Sequence, residues 1–176
     1  MITISLCMIV RNEAKVLARC LDSLQGLMDE IIIVDTGSTD ETKRIARSYT
    51  PLVYDYQWKD DFAAARNESF SKATMDYIYT ADADGILDMG DRARFLQLKQ
   101  VLLPEIDIVE FWYGNQLEKG ATYNFDCELR PKLFKRQRGF VWTDAIHETV
   151  RMHPIVYASD IVIIHKPGHR HEKRDF

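Results

Sequence analysis

The chain has 176 residues, 46% apolar and 28% charged, and its 23 Lys and Arg against 27 Asp and Glu leave a net charge of −4. That size and composition suit one globular domain whose core needs no staple and exclude disorder, while the acidic balance argues against gripping nucleic acid by its phosphates. Three cysteines without a CxxC pair fit a reducing cytoplasm better than a disulfide framework or a cysteine-based zinc site, and no uncharged apolar run approaches the roughly 18 residues of a membrane span.

Taken in chain order, Ile2–Val10 is an almost continuous apolar run, which predicts a strand buried on both faces rather than a signal peptide. Val16, Leu17, Cys20, Leu21 and Leu24 recur at helical spacing. Glu30–Asp35 is a second buried strand ending on an acid, and Ser38 with Glu41 has the spacing of a capping box opening a helix through Arg47. Leu52–Trp58 predicts a strand, Phe62–Ala73 an alanine-rich helix, and Asp76–Ala81 a strand that runs into Asp82-Ala83-Asp84-Gly85. A helix from Asp88 to Leu103 follows, with Phe95, Leu96, Leu98, Val101 and Leu102 as its expected buried face. Strand and helix thus alternate over the first hundred residues, the pattern of a parallel, doubly wound α/β sheet. Beyond Pro104 the texture changes, and Asp107–Tyr113, Tyr123–Arg130, Leu133–Lys135, Phe140–Trp142 and Ile155–His165 predict mostly strands.

In open parallel sheets ligands bind at the carboxyl ends of the strands, near a topological switch point. Four such ends are polar here: Arg11-Asn12-Glu13, Asp35-Thr36-Gly37-Ser38, Trp58-Lys59-Asp60-Asp61 and Asp82-Ala83-Asp84. Carboxylates gathered on one rim repel one another unless a cation or ligand balances them. In an extended segment Asp82 and Asp84 face the same side, and hard divalent cations such as magnesium or manganese take such oxygen ligands together with phosphate oxygens and water. An EF-hand loop is excluded, because Ile86 and Leu87 stand where it needs an acid and a glycine. A helix N-terminus decorated with acids remains the rival reading of the pair.

Met8–Glu13 (MIVRNE), Val34–Asp40 (VDTGSTD), Trp58–Asn67 (W…DFAAARN), Asp82–Asp84 (DAD) and Ile146–Glu148 (IHE) follow in that order. Together they resemble the nucleotide-sugar half of inverting glycosyltransferases with the GT-A fold, in the large second sequence family and its bacterial branch carrying these motifs. The resemblance runs from about Ile4 to Gly168. It implies a GT-A, Rossmann-like α/β fold with a mostly parallel central sheet and helices on both faces. It also implies transfer of a sugar from a nucleoside-diphosphate donor to an acceptor hydroxyl with inversion, using a divalent metal. By the same resemblance Val10, Arg11, Glu13 and Asp35 cradle the nucleoside, and Arg66 approaches the nucleotide or its diphosphate. Asp82 (with Ala83 between the acids) touches the ribose or the metal, Asp84 ligates the metal, and His165 completes its shell.

All five histidines lie in the last thirty residues, and His165 ends the apolar run Ile161–Ile164. An inverting transfer needs one general base to deprotonate the acceptor hydroxyl. The resemblance implies Glu148 as that base, since it falls where these enzymes usually place theirs, with His147 its orienting neighbour or a diphosphate contact, and Asp144 a nearby competitor standing where the related enzymes often have a small residue. Outside the resemblance, Arg66 also reads as a surface helix arginine, Glu148 as a salt-bridged acid and His165 as a surface imidazole. Two further departures are Gly85, where an acid is common after the DAD, and Lys132, which opens a Lys132–Lys135 stretch that often begins with arginine.

Two other functions stay open. A sugar-phosphate nucleotidyltransferase shares a similar sheet and metal, yet Met8–Glu13 holds no glycine for the phosphate loop that class needs. A degenerate GT-A domain would bind a nucleotide sugar or a partner without turnover. The expected organisation is a single domain over 1–176, with residues 1–104 binding the nucleotide sugar, 105–168 carrying the acceptor and metal half, and 169–176 a tail that reads as truncated. Expected partners are the donor and a saccharide, lipid-linked or protein acceptor, with no nucleic acid. The expected location is the cytoplasm, compatible with peripheral membrane contact although no amphipathic basic helix demands it.

Overall fold

The computed structural model describes residues 1–115, 128–143 and 154–166. Its elements in chain order are β1 (Ile4–Val10), α1 (Leu17–Ser23), β2 (Glu30–Asp35), α2 (Thr42–Tyr49), β3 (Val53–Asp55), α3 (Phe62–Ser71), β4 (Tyr77–Thr80), β5 (Gly85–Ile86), α4 (Met89–Val101), β6 (Ile108–Asn115), β7 (Glu128–Lys135) and β8 (Val156–His165). The described strands form one sheet in the order β3-β2-β1-β4-β7-β6-β8-β5.

Alternation along the strands builds a layer on each side of that sheet. Ile4, Leu6, Met8 and Val10 of β1 pack in one cluster with Leu17, Cys20 and Leu21 of α1 and with Phe95 and Leu98 of α4. Cys7, with Ile32, Ile78 and Phe134 of the neighbouring strands, faces the other way and meets Phe70 of α3. A strand covered on both faces must be apolar at nearly every position, which is why β1 reads as an unbroken hydrophobic run.

The sheet is mostly parallel, as expected, with antiparallel pairings added in its second half. β3, β2, β1 and β4 run parallel, and so do β6 and β8, but β4–β7, β6–β7 and β5–β8 are antiparallel. The chain leaves β1 toward β2 and β3 on one side and returns to β4 on the other, so the switch point lies between β1 and β4.

Local differences from expectation have local causes. Thr42, not Ser38, opens α2: the Asp40 carboxylate accepts from the Thr42 N–H at 3.0 Å, while the Ser38 hydroxyl accepts from the Asn12 N–H, so no capping box forms. The third strand contracts to Val53–Asp55. Leu133–Lys135 and the described end of Tyr123–Arg130 are one strand, continuous through Pro131, which pairs opposite Glu110 beside a register shift. Phe140–Trp142 makes no ladder; Phe140 and Trp142 instead pack edge-on against Phe134, both at 5.7 Å between ring centroids. On α4, Phe95 and Leu98 are buried as expected, but Leu96 and Val101 face solvent.

Candidate functional site

The carboxyl end of β4 delivers Asp82-Ala83-Asp84 beside the switch point, in a turn rather than the extended segment expected from the alternation: the Gly85 N–H donates to the Asp82 carbonyl at 3.0 Å. Ala83 is buried in the core, so it acts as the spacer that anchors the turn while its two neighbours reach different partners. Gly85 then opens β5 and pairs with His165. A Cβ at Gly85 would lie 3.1 Å from Ile163 Cγ2, so the acid common at this position in the related enzymes would require Ile163 to shift by a few tenths of an ångström.

Asp84 and His165 meet with Oδ2 and Nε2 at 2.5 Å, and the Lys166 N–H donates to the Asp84 carbonyl at 2.9 Å. The β5–β8 pairing brings these residues together. Asp82 turns elsewhere. Its Oδ1 accepts from Arg66 at 3.3 Å and its Oδ2 from Lys132 at 3.2 Å. The Lys132 ammonium first, and the Arg66 guanidinium after it, outweigh burial and hold the Asp82 carboxyl well below the usual carboxylate range. The arrangement therefore separates the two acids into one acid neutralised by cations and one paired with an imidazole.

Arg66 is not a free surface arginine. It donates to Thr80 Oγ1 at 3.1 Å and to Asp82, and its guanidinium lies 4.8 Å from the centroid of the Trp142 ring. Trp142 is fixed in turn by Asn67, whose amide exchanges hydrogen bonds of 2.9 and 2.8 Å with the Trp142 backbone. Asn67, Trp142 and Thr143 also line a cleft of about 620 Å³ with Lys59–Ala64, at the start of α3.

At the end of β2, Asp35 is only 1% exposed. Its Oδ1 accepts from the Gly37 and Ser38 N–H groups at 3.0 and 2.8 Å, the first from a glycine at φ +109°. Its Oδ2 is buried with no hydrogen-bond partner among the described residues, an arrangement that costs free energy until a donor arrives. Val10 is a core side chain whose carbonyl accepts from the Thr36 N–H and hydroxyl, so neither group remains for a ligand. Arg11 is exposed at the same strand end, and the Glu13 N–H donates to Thr42 Oγ1 at 2.8 Å.

Asp144, His147 and Glu148 lie outside the described residues. Among the described residues no group of three or more His, Cys, Asp or Glu side chains could hold a metal ion, so Asp84 and His165 stand as a pair of donors. Thr80, Tyr113 and Trp142 complete the surroundings of the acids and were not expected there, whereas Lys132, marked in the sequence as a departure from a stretch that often begins with arginine, meets Asp82. Around Lys132 the sequence reads Arg130-Pro131-Lys132-Leu133-Phe134-Lys135-Arg136, and nothing in so basic a stretch marks this one lysine as buried.

An α/β sheet whose first half, β3-β2-β1-β4, is parallel and which gains antiparallel strands beyond β4 has the GT-A-like arrangement. Residues 5–150 match the sequence profile described as Glycosyl transferase family 2, and the chain belongs to that family. The TPR repeat-containing protein Synpcc7942_0270 of Synechococcus elongatus is 49% identical over 84 residues, covering 48% of this chain and 21% of that protein. The SPbeta prophage-derived glycosyltransferase SunS of Bacillus subtilis is 37% identical over 103 residues, covering 57% of this chain and 24% of the relative. The chain thus spans under a quarter of the length of these relatives. Glucosyl-3-phosphoglycerate synthase from Mycobacterium tuberculosis, solved with Mn2+ and UDP-glucose, superposes with a TM-score of 0.63 at 15% identity, over 99% of this chain and 73% of that one. Among the described residues no helix is long and apolar enough to cross a membrane.

Proposed function

We propose that this chain is the catalytic domain of an inverting glycosyltransferase that moves a sugar from a nucleoside-diphosphate donor to an acceptor hydroxyl. The observation that carries the reading is the union of Asp84 with His165, 81 residues apart in sequence, beside the Asp82 cluster at the switch point. An oxygen and an imidazole nitrogen suit manganese well, and suit magnesium less, so these two residues fit a divalent cation whose remaining positions go to phosphate oxygens and water. When bound, such a cation stabilises negative charge on the departing diphosphate.

The chain's own groups divide the remaining work. Asp35 Oδ2 waits for an N–H or O–H donor, which a nucleobase or ribose supplies. Arg66, held on one side by Thr80 and Asp82, presents the rest of a planar guanidinium to phosphate oxygens. Glu148 is the proposed base, with Asp144 its competitor and His147 its orienting neighbour. The acceptor is a saccharide, a lipid-linked sugar or a protein side chain, and the cysteine content fits work in a reducing cytoplasm.

The test joins binding and turnover. A thermal-shift screen of UDP, GDP, dTDP and CDP sugars, with and without manganese, should give one nucleotide class that raises the melting temperature, because a ligand stabilises the state it binds. Donor hydrolysis or transfer should then appear in the wild type and fall at least about a hundredfold in Glu148→Gln. Binding without turnover toward any acceptor overturns the enzyme reading in favour of a nucleotide-sugar-binding domain.

A further inference from the structure

Asp82 is engaged on both oxygens by cations from two different layers. Arg66 comes from α3, and Lys132 from β7, the strand beside β4. The two cations differ in access. Lys132 is 5% exposed, and its ammonium has the Tyr113 ring as a second neighbour, 5.1 Å from the centroid. Arg66 keeps 24% of its side chain exposed, with Thr80, Asp82 and Trp142 fixing one side of the guanidinium. A lysine ammonium that solvent hardly reaches is poorly placed to grip a ligand, and its burial is costly unless a counter-charge is held close. That counter-charge is Asp82, which without Lys132 keeps only the partly exposed Arg66 to balance it and turns more of its negative charge toward anything anionic at the end of β4.

We propose that Lys132 is a positioning residue of the donor site: it neutralises Asp82 from inside the fold, so that Asp82 aims Arg66 at an incoming diphosphate without repelling it. The proposal rests on reading this rim as a nucleotide-sugar site. It assigns each Asp82 oxygen to a cation and leaves the divalent ion to Asp84 and His165. Charge, more than hydrogen-bond geometry, is the requirement at Lys132, so arginine substitutes for it and methionine does not.

Calorimetric titration with inorganic pyrophosphate, and separately with UDP and GDP, tests this in the wild type, Lys132→Met, Lys132→Arg and Asp82→Asn/Lys132→Met. Lys132→Met should weaken pyrophosphate binding about tenfold, and Lys132→Arg should stay within about threefold of wild type. The double variant should bind at least about threefold tighter than Lys132→Met, because the stranded carboxylate is gone. A merely structural lysine gives the opposite order, with losses that accumulate. Should Lys132→Met fail to fold, Lys132→Gln takes its place with the same expectations. Pyrophosphate affinity within about twofold of wild type in Lys132→Met, or a double variant no tighter than the single, overturns the proposal. If the pattern appears with pyrophosphate while neither nucleotide binds, the positioning role stands and the nucleotide-sugar reading falls. If nucleotides bind without the pattern, the reverse holds, and a wild type that binds neither probe overturns both.

Discussion

Asp82 and Asp84 are separated by one alanine yet answer to different chemistry. Asp82 sits between two permanent cations, whereas Asp84 faces an imidazole, a side chain that also serves as a metal ligand in proteins. The residues therefore separate in their response to manganese. Asp84→Asn should remove the manganese-dependent part of nucleoside-diphosphate affinity, a loss of about tenfold or more, while the affinity measured with chelator stays near wild type. Arg66→Lys should weaken binding by a similar factor with and without manganese, because a lysine cannot reproduce the planar fork held by Thr80 and Asp82. Paired titrations in manganese and in chelator distinguish the two. Equal losses in both conditions for Asp84→Asn would remove Asp84 from the metal site. This division was only half legible in the sequence. The DAD spacing and the late His165 marked the acids and the imidazole, but the partners of Asp82 lie 16 and 50 residues away in sequence. Such pairings are set by sheet order, which local spacing does not encode.

At the scale of elements, α3 matters to the proposed donor site because it carries Arg66. Its sequence is rich in alanine and presents no strongly apolar stripe, so its start is fixed by capping more than by amphipathicity. Asp61, in extended backbone, accepts from the Ala64 N–H at 3.0 Å, satisfying one of the donors that the first turn leaves unpaired. Asp61→Ala should cost about 1 kcal/mol in urea unfolding, and Asp61→Ser should recover most of it. If the alanine variant matches wild type in midpoint and slope, the cap contributes nothing. Element identities in the first half followed from periodicity, since a buried parallel strand and its crossover helix have distinct hydrophobic rhythms. The second half was harder to read. Phe140 and Trp142 alternate like a strand but are half-buried by ring packing on Phe134, with Phe70 also against Trp142, and β7 runs on through Pro131 where the sequence predicts two strands, Tyr123–Arg130 and Leu133–Lys135.

For the whole molecule, the end of the sheet opposite the site is tied together by a separate carboxylate. Asp76 Oδ2 accepts from the Thr3 N–H at 2.9 Å and from the Thr3 hydroxyl at 2.8 Å, and the Asp76 N–H donates back to that hydroxyl at 3.1 Å. The Asp76 carbonyl also accepts from the Arg136 N–H at 2.9 Å. One residue thus joins the chain before β1, the start of β4 and the end of β7. The hydrogen bonds from Thr3 hold the Asp76 carboxyl below its ordinary value. A carboxyl depressed in the folded state binds fewer protons there than in the unfolded chain, so stability rises with pH across the window between the two values. The contribution is complete above the ordinary carboxylate value, near pH 4, and disappears as the pH falls through the lower folded value. Asp76→Asn should lower the urea midpoint at neutral pH and flatten its fall between about pH 5 and pH 3. Nucleotide affinity at neutral pH should not change, because the carboxylate sits at the amino ends of β1 and β4 whereas the proposed donor rim lies at their carboxyl ends. A variant whose acid slope equals that of wild type would show that Thr3 and Asp76 do not couple folding to protonation. Lost nucleotide affinity at full stability would show instead that the two ends of the sheet are not independent.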